Sequence, residues 1–179
     1  MKKVIRDGVW ETNSSSTHSI CIHNQELKFP DYVFFGLEDL EQDGSYWYDN
    51  NYWATLQGRA NYLHTIMCVC LNKTDYINLK NKLNTWLKEK NVKAEWQKFK
   101  WIPSGSSEPS KEWLYEVKDT CSDLIIKKIA NDKDLFLKYL FGEHSQIIMG
   151  YDELYAENKK EAQKKYPEGK EFNYYVEEY

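Results

Sequence analysis

Two stretches with helical spacing of apolar residues lie back to back in the middle of the chain, and segments of strand-like alternation lie on both sides of them. Leu56, Ala60, Leu63, Met67 and Cys70 or Leu71 recur at three- and four-residue intervals, which predicts a helix over 54–71, although the end of that run also fits a strand. Thr74 is placed to cap a second helix over 74–90. Its residues Ile77, Leu83, Trp86 and Leu87 share one face, and Lys80, Lys82, Lys88 and Lys90 turn outward. Helices and strands in this irregular order do not make a regular βαβ winding. They predict an α+β fold, a mixed or antiparallel sheet with several helices.

The remaining elements follow from the same periodicities. Residues 19–23 alternate polar with apolar, as a half-buried strand does, and 31–36 reads as another short strand. Residues 92–102 alternate up to Pro103, and a Ser/Gly/Pro loop over 104–110 lets 113–117 return as the partner strand of a hairpin. Two short amphipathic helices are expected over 122–130 and 132–141, the second closed by Gly142 in a left-handed conformation. Residues 147–149 are a buried strand candidate, 152–165 a charged surface helix ended by Pro167 and Gly169, and 172–176 an edge strand. Near the start, the Asp7-Gly8 turn separates Val4-Ile5 from Val9-Trp10. With no repeat and no composition break, residues 1–179 are expected to form one domain.

A chain of 179 residues with 41% apolar and 29% charged residues has the material for a hydrophobic core. Its formal net charge of −4 opposes coating of nucleic acid through bulk positive charge. No run of apolar residues is long enough to span a bilayer, and the two lysines at the start precede no apolar core of a secretory signal, so a cytoplasmic protein without a membrane partner is expected. Cys21, Cys68, Cys70 and Cys121 contain no C-x-x-C pair and read as free core thiols. No metal and no cofactor are assigned.

One run carries most of the chemistry: Trp10-Glu11-Thr12-Asn13-Ser14-Ser15-Ser16-Thr17-His18-Ser19. Short hydroxyl and amide side chains bond back to nearby backbone, so such a run can curl into successive tight turns with N–H groups pointing outward. A concave row of N–H groups holds an anion without any lysine, which makes Thr12, Asn13, Ser14, Ser15, Ser16 and Thr17 a candidate phosphate cradle, with Arg6 as a bidentate donor. Glu11 and His18 bracket this cradle. A carboxylate and an imidazole on opposite sides of one phosphate are the general base and general acid that metal-free RNA cleavage requires. The plain alternative is a surface turn between two strands, with His18 a structural hydrogen-bond donor. A serine nucleophile finds no support, since no G-x-S-x-G elbow is present.

Other residues bear on this reading less directly. On the strand expected around 96–101, Lys98 and Lys100 share a face with Trp96, so a base stacked on an exposed ring would lie beside two phosphate-binding amines; an amphipathic strand with a solvated lysine face is the alternative. The aromatic patch Tyr46-Trp47-Tyr48-Asp49-Asn50-Asn51-Tyr52-Trp53 suits stacking on unpaired bases, or anchoring of a protein partner, or packing on the acidic loop before it. His64 reads as a buried or capping residue. His23 is expected elsewhere on the sheet than His18, and His144 reaches any site only through the fold.

The segment from Ile5 to Ser19 resembles the R-x-G-V-[FW]-E-T-N-S-S-S-T-H-S opening of a family of small proteins from Firmicutes and their phages. It is also similar to the start of a type II-A anti-CRISPR protein from streptococcal mobile elements, which is associated with shortening of the guide RNA held by Cas9. The resemblance covers about a tenth of the chain. It implies a phage or mobile-element anti-defence protein, a ribonuclease that disarms Cas9 by trimming its guide RNA, with Arg6, Glu11, Asn13, the serines and His18 as the matching positions. The competing expectation is a non-catalytic inhibitor that occupies a nucleoprotein surface through acidic and aromatic patches.

Overall fold

The computed structural model describes residues 16–37, 53–101, 107–108 and 124–176. Strand β1 (Ser16–His23) is the middle of a three-stranded antiparallel sheet. On one side it pairs with β6 (Gln146–Tyr151), from Ser16 opposite Tyr151 to Cys21 opposite Gln146. On the other side lies the edge strand β7 (Phe172–Val176), from Ser19 opposite Val176 to His23 opposite Phe172. The remaining strands form two small sheets. β2 (Tyr32–Phe35) pairs in parallel with β3 (Lys93–Trp96), and β4 (Lys100–Trp101) pairs antiparallel with β5 (Ser107–Glu108). With its helices the fold is α+β, as the periodicities imply.

Both faces of β1 are covered. Ile20 and Ile22 enter the main core, while Cys21 packs with Ile148 and Phe172 in a smaller cluster under α5 (Asp152–Lys165). The expected half-buried strand is therefore fully buried over 19–23, its polar members included, because helices lie against both sides of the sheet.

The main core is built around α1 (Leu56–Cys70), in which ten of fifteen residues are buried. Its middle, from Tyr62 to Cys68, is buried on every side, and the polar His64 there is hydrogen-bonded at both ring nitrogens. Thr55 caps it by accepting from the Gly58 N–H at 3.0 Å. The next helix, α2 (Lys73–Lys88), begins one residue before Thr74, because Asn72 is the cap and its Oδ1 accepts from the Asp75 N–H at 2.9 Å. Tyr76, Leu79, Leu83 and Leu87 form its buried stripe, and Ile77, expected inside, is 43% exposed. That stripe follows three- and four-residue steps from Tyr76, and Ile77 lies one residue off it. The chain leaves α2 through Asn91, whose φ of 59° is the left-handed conformation that asparagine tolerates.

Three other expectations need correction. The long strand over 92–102 is broken after Trp96, where the backbone N–H of Gln97 makes a last bond to the Phe35 carbonyl; among the described residues, Lys100 and Trp101 alone resume pairing, with Ser107 and Glu108. Within the helix expected over 122–130, the described residues divide into α3 (Leu124–Lys127) and a 3₁₀ turn at Ile129–Asn131, and Asp132 caps α4 (Lys133–Phe141) by accepting from the Leu135 N–H. Gly142 is not left-handed: its φ is −63°. Glycine is needed there for close approach, since a Cβ would collide with Ser145 Oγ and the Lys138 carbonyl.

Cys21 and Cys68 are buried as expected, but Cys70, at the end of α1, is exposed. No helix among the described residues is long and apolar enough to cross a membrane. The Asp7-Gly8 turn, the acidic loop before residue 45, the aromatic patch up to Tyr52, Cys121 and the strand expected over 113–117 lie outside the described residues.

Candidate functional site

Arg6, Glu11, Thr12, Asn13, Ser14 and Ser15 lie outside the described residues. The rest of the run is strand and not loop. Ser16, Thr17 and His18 pair with Tyr151, Gly150 and Met149, so the polar run feeds directly into the central strand. Their backbone is committed to a ladder on the β6 side, and pairing with β7 begins only at Ser19. Ser16, Thr17 and His18 therefore do not form the expected tight turns. The register has a second consequence: Ser16 lies opposite Tyr151, and α5 begins at the next residue, Asp152. The run thus enters the sheet beside a helix N-terminus, where backbone N–H groups lack internal partners.

Lys98 and Lys100 do not join this place through the sheet. Lys98 is exposed in the link after β3, and Lys100 lies in β4, both outside the β6-β1-β7 sheet. Trp96 does not offer the expected stacking face, since it is 8% exposed. Its ring stacks on Phe35 with centroids 3.9 Å apart, and its indole N–H donates to Asn84 Oδ1 at 2.8 Å. Phe99 turns inward as well, edge-on to Tyr76 at 5.0 Å. Trp53, the last ring of the aromatic patch, is buried against Tyr62.

At the other end of β1, roughly 17 Å from His18 by strand rise, the fold assembles a group of residues that the sequence did not link. His23 stacks on Phe172 at 4.7 Å and meets His144 at 5.0 Å, and His144 stacks in turn on Tyr166 at 5.1 Å. The His23 N–H donates to Ser145 Oγ at 2.9 Å, and that hydroxyl donates to the Lys138 carbonyl at 2.8 Å. The Nε2 of His23 is buried with no hydrogen-bond partner. Burial lowers the pKa of this imidazole, and neighbouring His144 adds to the effect against the opposing pull of Glu143 and Glu171. His144 therefore meets His23 and not the His18 end of the strand.

Arg59 is the other polar group that the fold draws inside. It sits in the apolar period of α1 and is 3% exposed. Its terminal nitrogens donate to four carbonyls: Ala54, Ser145, Leu140 at 3.0 Å and Gly142 at 3.1 Å. Leu140 and Gly142 end α4, so the guanidinium satisfies carbonyls that the helix cannot. Burial pulls its pKa down to about 10, which leaves it charged at neutral pH. Among the described residues no carboxylate pairs with it, and its Nε has no partner. Arg59 also lines a cavity of about 540 Å³ between the β1–β2 connection, the start of α1 and the end of α4. Phe29 and Phe141 supply rings, and Glu26, Lys28 and Glu143 supply charges. The one signal that pointed here was an arginine between Gly58 and Ala60 in an apolar helix.

His64 is buried, as its helical position implies, and both ring nitrogens are engaged. The Gly36 carbonyl only accepts, so Nδ1–H donates to it at 3.0 Å, and Nε2 accepts from Tyr76 Oη–H at 2.9 Å. Burial lowers its pKa to about 4. Among the described residues no group of three or more His, Cys, Asp or Glu side chains is arranged to hold a metal ion. No protein-family model, curated protein or solved structure matches the chain.

Proposed function

We propose that the chain is an RNA-cleaving anti-defence protein that acts on the guide RNA of Cas9, with Glu11 and His18 as its acid–base pair. The observation that carries this reading is the register of β1. It sets the end of the hydroxyl-rich run on the central strand, opposite Tyr151 and next to the first turn of α5. Backbone N–H groups of tight turns and of a helix N-terminus both favour a phosphate, and an edge of a covered sheet gives them a rigid support. The resemblance of the run supplies the substrate.

In this scheme the Glu11 carboxylate takes the proton of a ribose 2′-hydroxyl, and the 2′-oxygen attacks the adjacent phosphorus. The bond to the 5′-oxygen breaks, and His18 in its protonated form donates a proton to that leaving oxygen. The products are a 2′,3′-cyclic phosphate and a 5′-hydroxyl end. Ser14, Ser15 and Asn13, with Arg6, meet the charge that grows on the phosphoryl oxygens. His18 suits the acid role because an imidazole exchanges protons near neutral pH.

The test is incubation of the protein, in substoichiometric amounts, with labelled guide RNA, free and bound to Cas9, with and without chelator. Shortened guide carrying a cyclic phosphate is expected, with cutting reduced at least about a hundredfold by His18→Ala or Glu11→Ala. Inhibition that saturates near one protein per Cas9 with intact RNA would replace the enzyme with a blocking protein. Cutting abolished by chelator would make Glu11 a metal ligand and would require further carboxylates beside it.

A further inference from the structure

We propose that the cavity beside Arg59 binds one nucleotide, and that it does so through a base bearing an exocyclic amine. Its volume of about 540 Å³ lies within the range of small-molecule clefts, roughly 300–1,000 Å³. The walls combine three chemistries that a nucleotide needs together. Phe29, half-buried and edge to face with the buried Phe141 at 5.3 Å, offers ring surface to a planar heterocycle. Glu26 on the β1–β2 connection and Glu143 just beyond α4 are exposed carboxylates lining the same cavity, acceptors only, which match the amino groups of adenine, cytosine or guanine. Lys28 lines the same space, and Lys90 reaches over the Phe29 ring with its Nζ 5.4 Å from the centroid, so two ammonium groups flank the aromatic wall where a phosphate would leave the base.

Arg59 gives this arrangement its sign. Its terminal nitrogens are tied to four carbonyls and cannot swing toward a carboxylate. A fixed buried charge without a carboxylate partner among the described residues leaves a positive field in the cavity wall, and the unpartnered Nε–H is one donor in reserve. An uncharged lipid chain would desolvate four charged side chains for no return. A nucleotide satisfies both signs at once, the base meeting the glutamates and the phosphate the lysines. The inference stands apart from the proposed cleavage at Glu11 and His18, which lies on other residues.

The shared ligand chemistry has two sources, a free nucleotide or a residue of single-stranded RNA. The full chain is titrated with AMP, CMP, GMP and UMP by calorimetry, and then with a short single-stranded oligonucleotide in competition. Saturable binding of at least one of AMP, CMP and GMP is expected, tighter than that of UMP. Glu143→Gln or Glu26→Gln should weaken it by about tenfold, and Lys28→Ala should weaken the monophosphate but not the nucleoside. Displacement by the oligonucleotide assigns the cavity to RNA; its failure to compete assigns it to free nucleotide. His18→Ala should bind unchanged, which separates this site from the cleavage reading. Both glutamate variants alter exposed side chains, and an unaltered unfolding curve will show that they fold. No binding up to roughly 1 mM, equal binding of UMP, or binding indifferent to all three substitutions overturns the proposal, as does displacement by free amino acids.

Discussion

His64 and His23 are both buried histidines, and the fold handles them differently. The His64 ring has a donor bond at one nitrogen and an acceptor bond at the other, inside the main core between α1, α2 and the end of β2. The His23 ring is held by stacking on Phe172 and by its neighbour His144, with Nε2 left without a bond. A buried polar atom with its partners rigidifies the core, while one without them costs free energy that only packing offsets. The first histidine is therefore a structural hub, and the second is a ring retained for its shape.

The sharpest way to break this comparison is His64→Ala, which opens a void and removes the bonds to the Gly36 carbonyl and the Tyr76 hydroxyl. A loss of about 3–5 kcal/mol is expected from urea unfolding. Retained stability would mean that the network is peripheral. Acidification is the next largest effect. The folded pKa of His64, about 4, lies below the ordinary value of 6.5. Between these values the unfolded chain binds a proton that the folded one refuses, so stability falls as pH drops through that window, by up to roughly 3 kcal/mol, and the slope flattens below it. His64→Gln, which keeps an amide donor and acceptor, should remove most of this slope, whereas His23, whose pKa is also lowered, accounts for a remainder. The smallest effect is His23→Phe: the stack survives, an unsatisfied nitrogen disappears, and stability should change by less than about 1 kcal/mol. A larger loss would reveal a bond to that ring.

The sequence made much of the fold legible because periodicity is a local property. The helix over 152–165 and the strand over 172–176 coincide with α5 and β7, and the strand over 19–23 is the buried half of β1. What it concealed depends on distant partners. Alternation at 19–23 suggested one wet face, because nothing local reveals that α5 will cover it. Gly142 after a helix suggested a left-handed cap, because the crowding by Ser145 and Lys138 exists only once the turn has closed. The lysines at 98 and 100 seemed to flank an exposed ring until the parallel pairing of β3 with β2 drew Trp96 onto Phe35. The polar run itself was visible, yet its tail became strand because β6 extends far enough to pair with it. The cavity at Arg59 joins three segments far apart in the chain, and no spacing rule connects them.

The placement of β1 between β6 and β7 also governs the order in which the molecule takes shape. On a ribosome this strand emerges well before its two neighbours, which begin at Gln146 and Phe172. Its amide edges must stay unmatched until those neighbours are made, a condition that invites mispairing and slows closure. Strand β1, made first of the three, thus acquires its final geometry only after β6 and β7 have been made.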